Sequence, residues 1–472
     1  MIPNALAARA FRETFRHGPL WGRLGPHLVI ATLAMLGLAW MATGTLAPLS
    51  ATDAPRLAPG GCGYTLGTDN GEWVRVFWML DGRPVADWAS SIYLRRLLYP
   101  LLAFPFYKTL GFLVGGLVFN ALLYTAMLWA WGRWLLTAVG RRGAVAGVWL
   151  LASFPGLAYW GGLPYSTAAI LPITVFGLIL LDRLDRPDRP AGPVVACAVG
   201  LGLGTVSQAY DLIAYLGPAA LGLVAWRRRW RDLAPLVAGL VLPFAATAAL
   251  LWGVFDAPGL SNSNTDLYAI ILGAYRDGLT GAIGLGAWAA AAADTPWLLG
   301  LNLLDGTNWV LPVATLALVA LLGRTAGGRP APAETALGLV ILLVFLFNNL
   351  APPYDGWQMR GAAIARLYQP AAVVLIALAA RCVAATVRGE SAARRRRVLA
   401  GGLVAVAVGA QAVIVADGFL GTGHIANWAW HRFYMDKTPE RYLEHRARYG
   451  VRPWGYCWKG HPAWPEARPG EV

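Results

Sequence analysis

Apolar runs alternate with short polar turns along most of this chain. Apolar windows fall near residues 27–48, 109–131, 143–161, 165–182, 192–209, 211–226, 233–255, 308–323, 335–351, 362–385 and 398–416. Several continue for roughly 17 residues or more with almost no ionisable side chain, about what a helix needs to cross a hydrocarbon core some 30 Å thick. The pattern predicts an all-α polytopic membrane protein with about eleven transmembrane helices. Prolines inside the windows (Pro155, Pro164, Pro172, Pro218, Pro243) predict kinks, which neighbouring helices can accommodate. No repeat of 20 to 50 residues is visible and the two halves are dissimilar, so neither a solenoid nor a duplicated transporter is suggested.

Three longer polar segments interrupt this plan: 49–108, 256–307 and the tail from Asp417. The division that follows is an N-terminus over 1–26, a membrane domain over 27–416 with outer loops 49–108 and 256–307, and a C-terminal segment over 417–472. The first apolar stretch is about 22 residues long with no clear small-residue cleavage site after it, so it reads as an anchor and not a cleaved signal peptide.

Composition agrees with the pattern. Hydrophobic residues make up 57% and charged residues 14% of the 472, against about half and about a quarter in soluble domains, which excludes a soluble multidomain protein. The net charge of +14 would suggest nucleic acid in a soluble chain, but here its placement explains it. Arg9, Arg12, Arg16 and Arg23, the Arg133/Arg141/Arg142 turn, DRLDRPDR at 182–189, WRRRWR at 226–231, Arg324/Arg329 and Arg394–Arg397 occupy alternate loops, which the positive-inside rule makes cytoplasmic. The short loops of the other set hold one arginine, Arg360. The N-terminus is then cytoplasmic, the three large segments and the C-terminus face outward, and no nucleic-acid partner is expected.

Cys197 and Cys382 lie inside spans, whereas Cys62 and Cys457 share the outer compartment. A Cys62–Cys457 disulfide is one reading and two unrelated free thiols the other. Of the 22 tryptophans, Trp129, Trp131, Trp134, Trp226 and Trp230 sit where an inner aromatic belt would. Trp73, Trp78, Trp88, Trp357, Trp428, Trp430, Trp454, Trp458 and Trp464 instead lie in outer polar sequence. They suit either a carbohydrate-facing vestibule or packing of a small tail. Within that tail, Thr438 can cap a helix that Gly450 ends.

Candidate chemistry concentrates in the first outer loop, where Asp69, Glu72, Arg75, Asp81, Asp87, Arg95 and Arg96 alternate with aromatics. A helical run from about Ile92 to Tyr107 follows, with Tyr93, Leu97, Pro100 and Leu101 turned to lipid and both arginines at headgroup level. Asp211 is a nearly isolated charge at a junction of two spans, where an ionisable group is costly unless partnered or wet. It reads as lining the outer cavity or as an exposed turn. Asp355 and Arg360 flank a short outer loop, as substrate contacts or as a loop salt bridge. Arg366, about one turn inside a span, needs a partner or a phosphate.

The TDNGEW element followed by YLRRLLYPLLA resembles the first periplasmic loop of bacterial GT-C glycosyltransferases, many of which read DGxxY and then YRxRRxLYPLLA. FPGLAYWGGLPYSTA at 154–168, TVSQAYDL at 205–212 and RGAAIARLYQPAA at 360–372 follow in the order of the family's later outer motifs, so the resemblance covers most of 30–385. It implies a multi-pass protein of the bacterial inner membrane, with a periplasmic site and a periplasmic C-terminus. That site would transfer a sugar from a polyprenyl-phosphate donor, with inversion, to an envelope glycan, lipid or protein acceptor. Asp69, or alternatively Glu72, would be the general base on the acceptor hydroxyl. Arg95 and Arg96, with Arg366, would hold the donor phosphate through bidentate guanidinium pairing, and Trp73, Tyr165, Asp211, Asp355 and Arg360 would line the cavity. Trp73 stands where the family often has Tyr, and Tyr165-Ser166-Thr167 replaces a frequent acidic element, so no divalent metal and no soluble cofactor are expected. Competing classes are a lipid or oligosaccharide transporter or flippase, which would place charges at span midplanes, and a non-enzymatic scaffold.

Overall fold

A computed structural model of the chain describes residues 18–44, 76–77, 79–82, 96–161, 166–185, 192–210, 212–255, 267–282, 284–286, 288–289, 293, 309–322, 329–350, 369–386 and 392–419. Among these the chain is all helical. The elements are α1 (Gly18–Gly44), α2 (Leu98–Leu110), α3 (Phe112–Ala152), α4 (Pro155–Gly161), a 3₁₀ turn at Ser166–Ala169 leading into α5 (Ile170–Asp185), α6 (Pro193–Ser207) and α7 (Ile213–Trp226). A second 3₁₀ turn at Trp230–Asp232 enters α8 (Leu233–Phe255), followed by α9 (Leu267–Leu279), α10 (Val310–Leu322), α11 (Pro332–Leu350), α12 (Gln369–Ala385) and α13 (Ala392–Phe419). Four stretches, Val114–Ala152, Ser166–Asp185, Trp230–Val254 and Arg394–Ala416, are long and apolar enough to cross a membrane.

The first of these is a hairpin. Gly140 has φ 81° and ψ 177°, a region essentially closed to residues with a Cβ, and there the helix folds back on itself. The Trp131 indole N–H donates to the Gly147 carbonyl at 3.1 Å across the two arms. The turn separates the apolar windows at 109–131 and 143–161, as the hydropathy expects. The second window is not one helix, because α3 ends at Ala152 and α4 begins at Pro155. Pro155 lacks the N–H that would continue the ladder, and the Ser153 hydroxyl donates back to the Trp149 carbonyl at 2.8 Å.

Contacts show which ends lie together. Gly143, beside the turn, abuts the Ala380 backbone near the end of α12, where Arg381 reaches Glu334 in the first turn of α11. At the other end of α3, Asn120 donates its side-chain N–H to the Gly161 carbonyl at 2.9 Å. At 1.5 Å per residue this lies about 30 Å along the helix from Gly140. The Ser166–Ala169 turn packs on α3 and α4, so α5 starts near Gly161 and runs back along α3 toward the Gly140 side. There Arg227 pairs with Asp185 at 2.7 Å, and Arg229 donates to the Leu184 carbonyl at 2.6 Å, an acceptor otherwise left open at a helix end. The arginine-bearing turns of α3, α5, α7 and α12 therefore gather at one end, called the arginine end below.

One apolar core runs through α1–α8 and α10–α13. Helices α6 and α8 pack backbone to backbone. A Cβ on Gly200 would overlap the Leu236 carbonyl, one on Gly204 the Leu240 carbonyl, and one on Gly239 the Cys197 carbonyl. Small residues four apart allow this approach, as in membrane helix pairs generally. Outward faces are apolar instead of charged: Ile30 and Leu33 on α1, Val241 and Leu242 on α8, Leu342 and Leu343 on α11, Val406 and Val413 on α13. Such a perimeter would associate in water, and it is what a lipid solvent accommodates.

The first helix starts at Gly18, ahead of the apolar window at 27. One expectation needs correction, for the helix after the first loop sits differently: Leu97 and Pro100, expected at lipid, are buried against the bundle, while Leu101 and Leu102 are exposed. A Cβ on Gly115 would overlap the Phe106 carbonyl, so α2 packs closely against the start of α3.

Candidate functional site

The first turn of α2 is the meeting point at the end opposite the arginine turns. Arg96 lies over the ring of Tyr210, its guanidinium carbon 4.1 Å from the centroid. Leu98 donates its backbone N–H to the Gln208 carbonyl at 3.3 Å. The Tyr99 hydroxyl donates to Asn120 Oδ1 at 2.7 Å, and Asn120 passes the chain on to Gly161. The end of the first long loop is thereby fastened to α3, to α4 and to the α6–α7 junction. The physical reasons are local. Tyr99 and Asn120 are buried and must pair, and a guanidinium beside a buried tyrosine gains from the π face.

Among the expected site residues, Arg96 is described, and it meets the α6–α7 junction. Tyr210 and Leu212, both buried, flank Asp211 in sequence. Asp69, Glu72, Trp73, Arg95, Tyr165, Asp211, Asp355, Arg360, Arg366, Cys62 and Cys457 lie outside the described residues, as does the tail. Cys197 and Cys382 are both in helices, α6 and α12, and neither is part of a disulfide.

The structure adds polar side chains that sequence reasoning did not single out as a group. Ser166 Oγ, Thr167 Oγ1, Ser207 Oγ, Gln208 Nε2 and both amide atoms of Gln369 are buried without a hydrogen-bond partner among the described residues. Each such group shut away from water costs about 1–3 kcal/mol. Ser166 and Thr167 open α5, Ser207 and Gln208 close α6, and Gln369 opens α12. The turn holding Ser166 and Thr167 packs against α2 and α3, and Gln208 is tied to α2 through Leu98. A signal was present in the sequence: these residues are the polar positions of YSTA, SQAY and LYQP inside apolar windows. What no local pattern reports is that the first two of these elements both meet α2.

Chemically the described part of the site offers one cation, hydroxyls and carboxamides. Among the described residues, no three His, Cys, Asp or Glu side chains come together as a cation site would need. No protein-family model, curated protein or solved structure matches the chain.

Proposed function

We propose that the chain is a GT-C-type glycosyltransferase of the bacterial inner membrane, moving a sugar from a polyprenyl-phosphate donor to an envelope acceptor. The observation that supports this most is the Arg96–Tyr210 contact. It brings a first-loop arginine, from the motif that resembles the family, to the junction that carries Asp211. Buried hydroxyls and amides without partners among the described residues at the same end favour a polar substrate there. In the topology that goes with this reading, α1, both arms of α3, α5–α8 and α10–α13 make the crossings, and the arginine end is cytoplasmic.

In the reaction, the Asp69 carboxylate, or that of Glu72, accepts the proton of an acceptor hydroxyl. The oxygen attacks the anomeric carbon from the face opposite the phosphate, the bond from that carbon to the phosphate oxygen breaks, and polyprenyl phosphate leaves with its electron pair. Inversion follows from the opposed faces. Arg96, with Arg95 and Arg366, stabilises the charge developing on the leaving phosphate.

The test is reconstitution of the full chain in lipid vesicles with labelled polyprenyl-phosphate sugars, scoring transfer to envelope glycan and lipid acceptors. Transfer by the native chain, abolished by Asp69→Asn with normal membrane insertion, is the expected result. Retained transfer moves the base to Glu72. No transfer of any donor, together with no binding of polyprenyl phosphate, ends the proposal.

A further inference from the structure

At the arginine end, the turn between α7 and α8 uses its four arginines in two ways. Arg227 and Arg229 are held by partners in the fold, Arg227 by Asp185 at the surface and Arg229 by Asp232 and the Leu184 carbonyl. The hydrogen bond from Arg227 to Asp185 holds its guanidinium even further above its already high ordinary pKa, so that charge is committed. Arg228 and Arg231 are exposed, and neither forms an ion pair among the described residues.

Arg228 is unusual in its backbone. It is the one non-glycine residue with positive φ among the described residues, at 52°. Its N–H bonds the Ala225 carbonyl at 2.9 Å, and the N–H of Arg229 bonds the Val224 carbonyl at 2.9 Å. These two bonds define a Schellman cap, and Arg228 occupies the left-handed position where glycine is favoured. A cation is thus held at a strained position with its side chain turned out of the fold. Strain of this kind points to a use for the side chain.

The surroundings indicate that use. Trp226 and Trp230, 76% and 62% exposed, flank the arginines, and such rings settle at the boundary between acyl chains and headgroups. Directly beyond Trp230, α8 turns Val237 and Val241 outward. A charged end and an apolar track follow one another in the order of a lipid's own headgroup and chain.

We propose that Arg228 and Arg231 bind the headgroup of an acidic phospholipid, with its acyl chain along the exposed face of α8. This does not depend on the glycosyltransferase reading.

Native mass spectrometry of the purified full chain in detergent, titrated with phosphatidylglycerol or phosphatidylcholine, tests it. The native chain is expected to retain phosphatidylglycerol about tenfold more strongly. Arg228→Gly should weaken that retention about fivefold, as removal of one interfacial cation implies, and Arg228→Gly with Arg231→Gln about 25-fold. Arg228→Lys should keep most of it. Because glycine relieves the backbone, Arg228→Gly should also raise the unfolding temperature by about 1–2 °C, which separates loss of lipid from loss of fold. The proposal is overturned if Arg228→Gly binds phosphatidylglycerol like the native chain or lowers the unfolding temperature. It is equally overturned if Arg228→Lys loses as much as Arg228→Gly, or if millimolar inorganic phosphate displaces the lipid.

Discussion

Arg381 and Glu334 form a nearly sealed ion pair between α12 and α11: the arginine Nε lies 2.8 Å from one carboxylate oxygen and 2.7 Å from the other. Glu334 is 1% exposed, and its Oε2 also accepts the Ala331 backbone N–H at 2.9 Å. One carboxylate thus caps the start of α11 and anchors the end of α12.

Removing either partner leaves a buried charge. Glu334→Ala and Arg381→Ala should each destabilise the protein by about 3 kcal/mol, and Glu334→Leu with Arg381→Met by much less, because the pair is removed together. Cys382 is the next residue and is buried. Its labelling rate by a thiol dye in detergent is the local measurement, and it should rise in the single variants and stay low in the double one.

At Gly140 any side chain forces φ 81° on a residue that resists it. Gly140→Ala should cost about 1–3 kcal/mol. Gly37, inside α1 with nothing near its missing Cβ, should accept alanine with a gain of up to about 1 kcal/mol. Unfolding temperatures of the two variants should move in opposite directions.

Where α6 meets α8, Gly200 and Gly239 each face a carbonyl of the other helix. Gly200→Val and Gly239→Val should push the helices apart and lower the unfolding temperature by more than Gly222→Val on α7, which has open space. Equal effects would mean that helix propensity, and not close approach, sets the loss.

Tyr99→Phe removes the hydroxyl that reaches Asn120 while keeping the ring, which packs edge-on to Phe119 at 5.3 Å. The expected stability loss is about 1–2 kcal/mol. In the reconstituted transfer assay, loosening α2 should lower kcat/KM through misplacement of Arg96. Arg96→Lys should lose most of the activity as well, since a compact ammonium lacks the fork that pairs with phosphate. An Arg96→Lys variant with native rates would take Arg96 out of the donor site.

The apolar windows located the helices because the cost of placing each residue in lipid is local and adds up along a segment. α5, α7, α8, α11 and the turn at Gly140 fall within a few residues of those windows. The arginine turns were legible as one group for the same reason, since sidedness alternates with each apolar run. The sequence could not show that α3 and α4 break at Pro155, that Leu97 and Pro100 face protein, or that Arg96 rests on Tyr210. It also could not show that the turn holding Ser166 and Thr167 and the end of α6 at Gln208 both meet α2. These depend on residues tens to more than a hundred positions apart, brought together by packing. Only the tertiary structure fixes which polar groups end up buried and which of them find partners among the described residues.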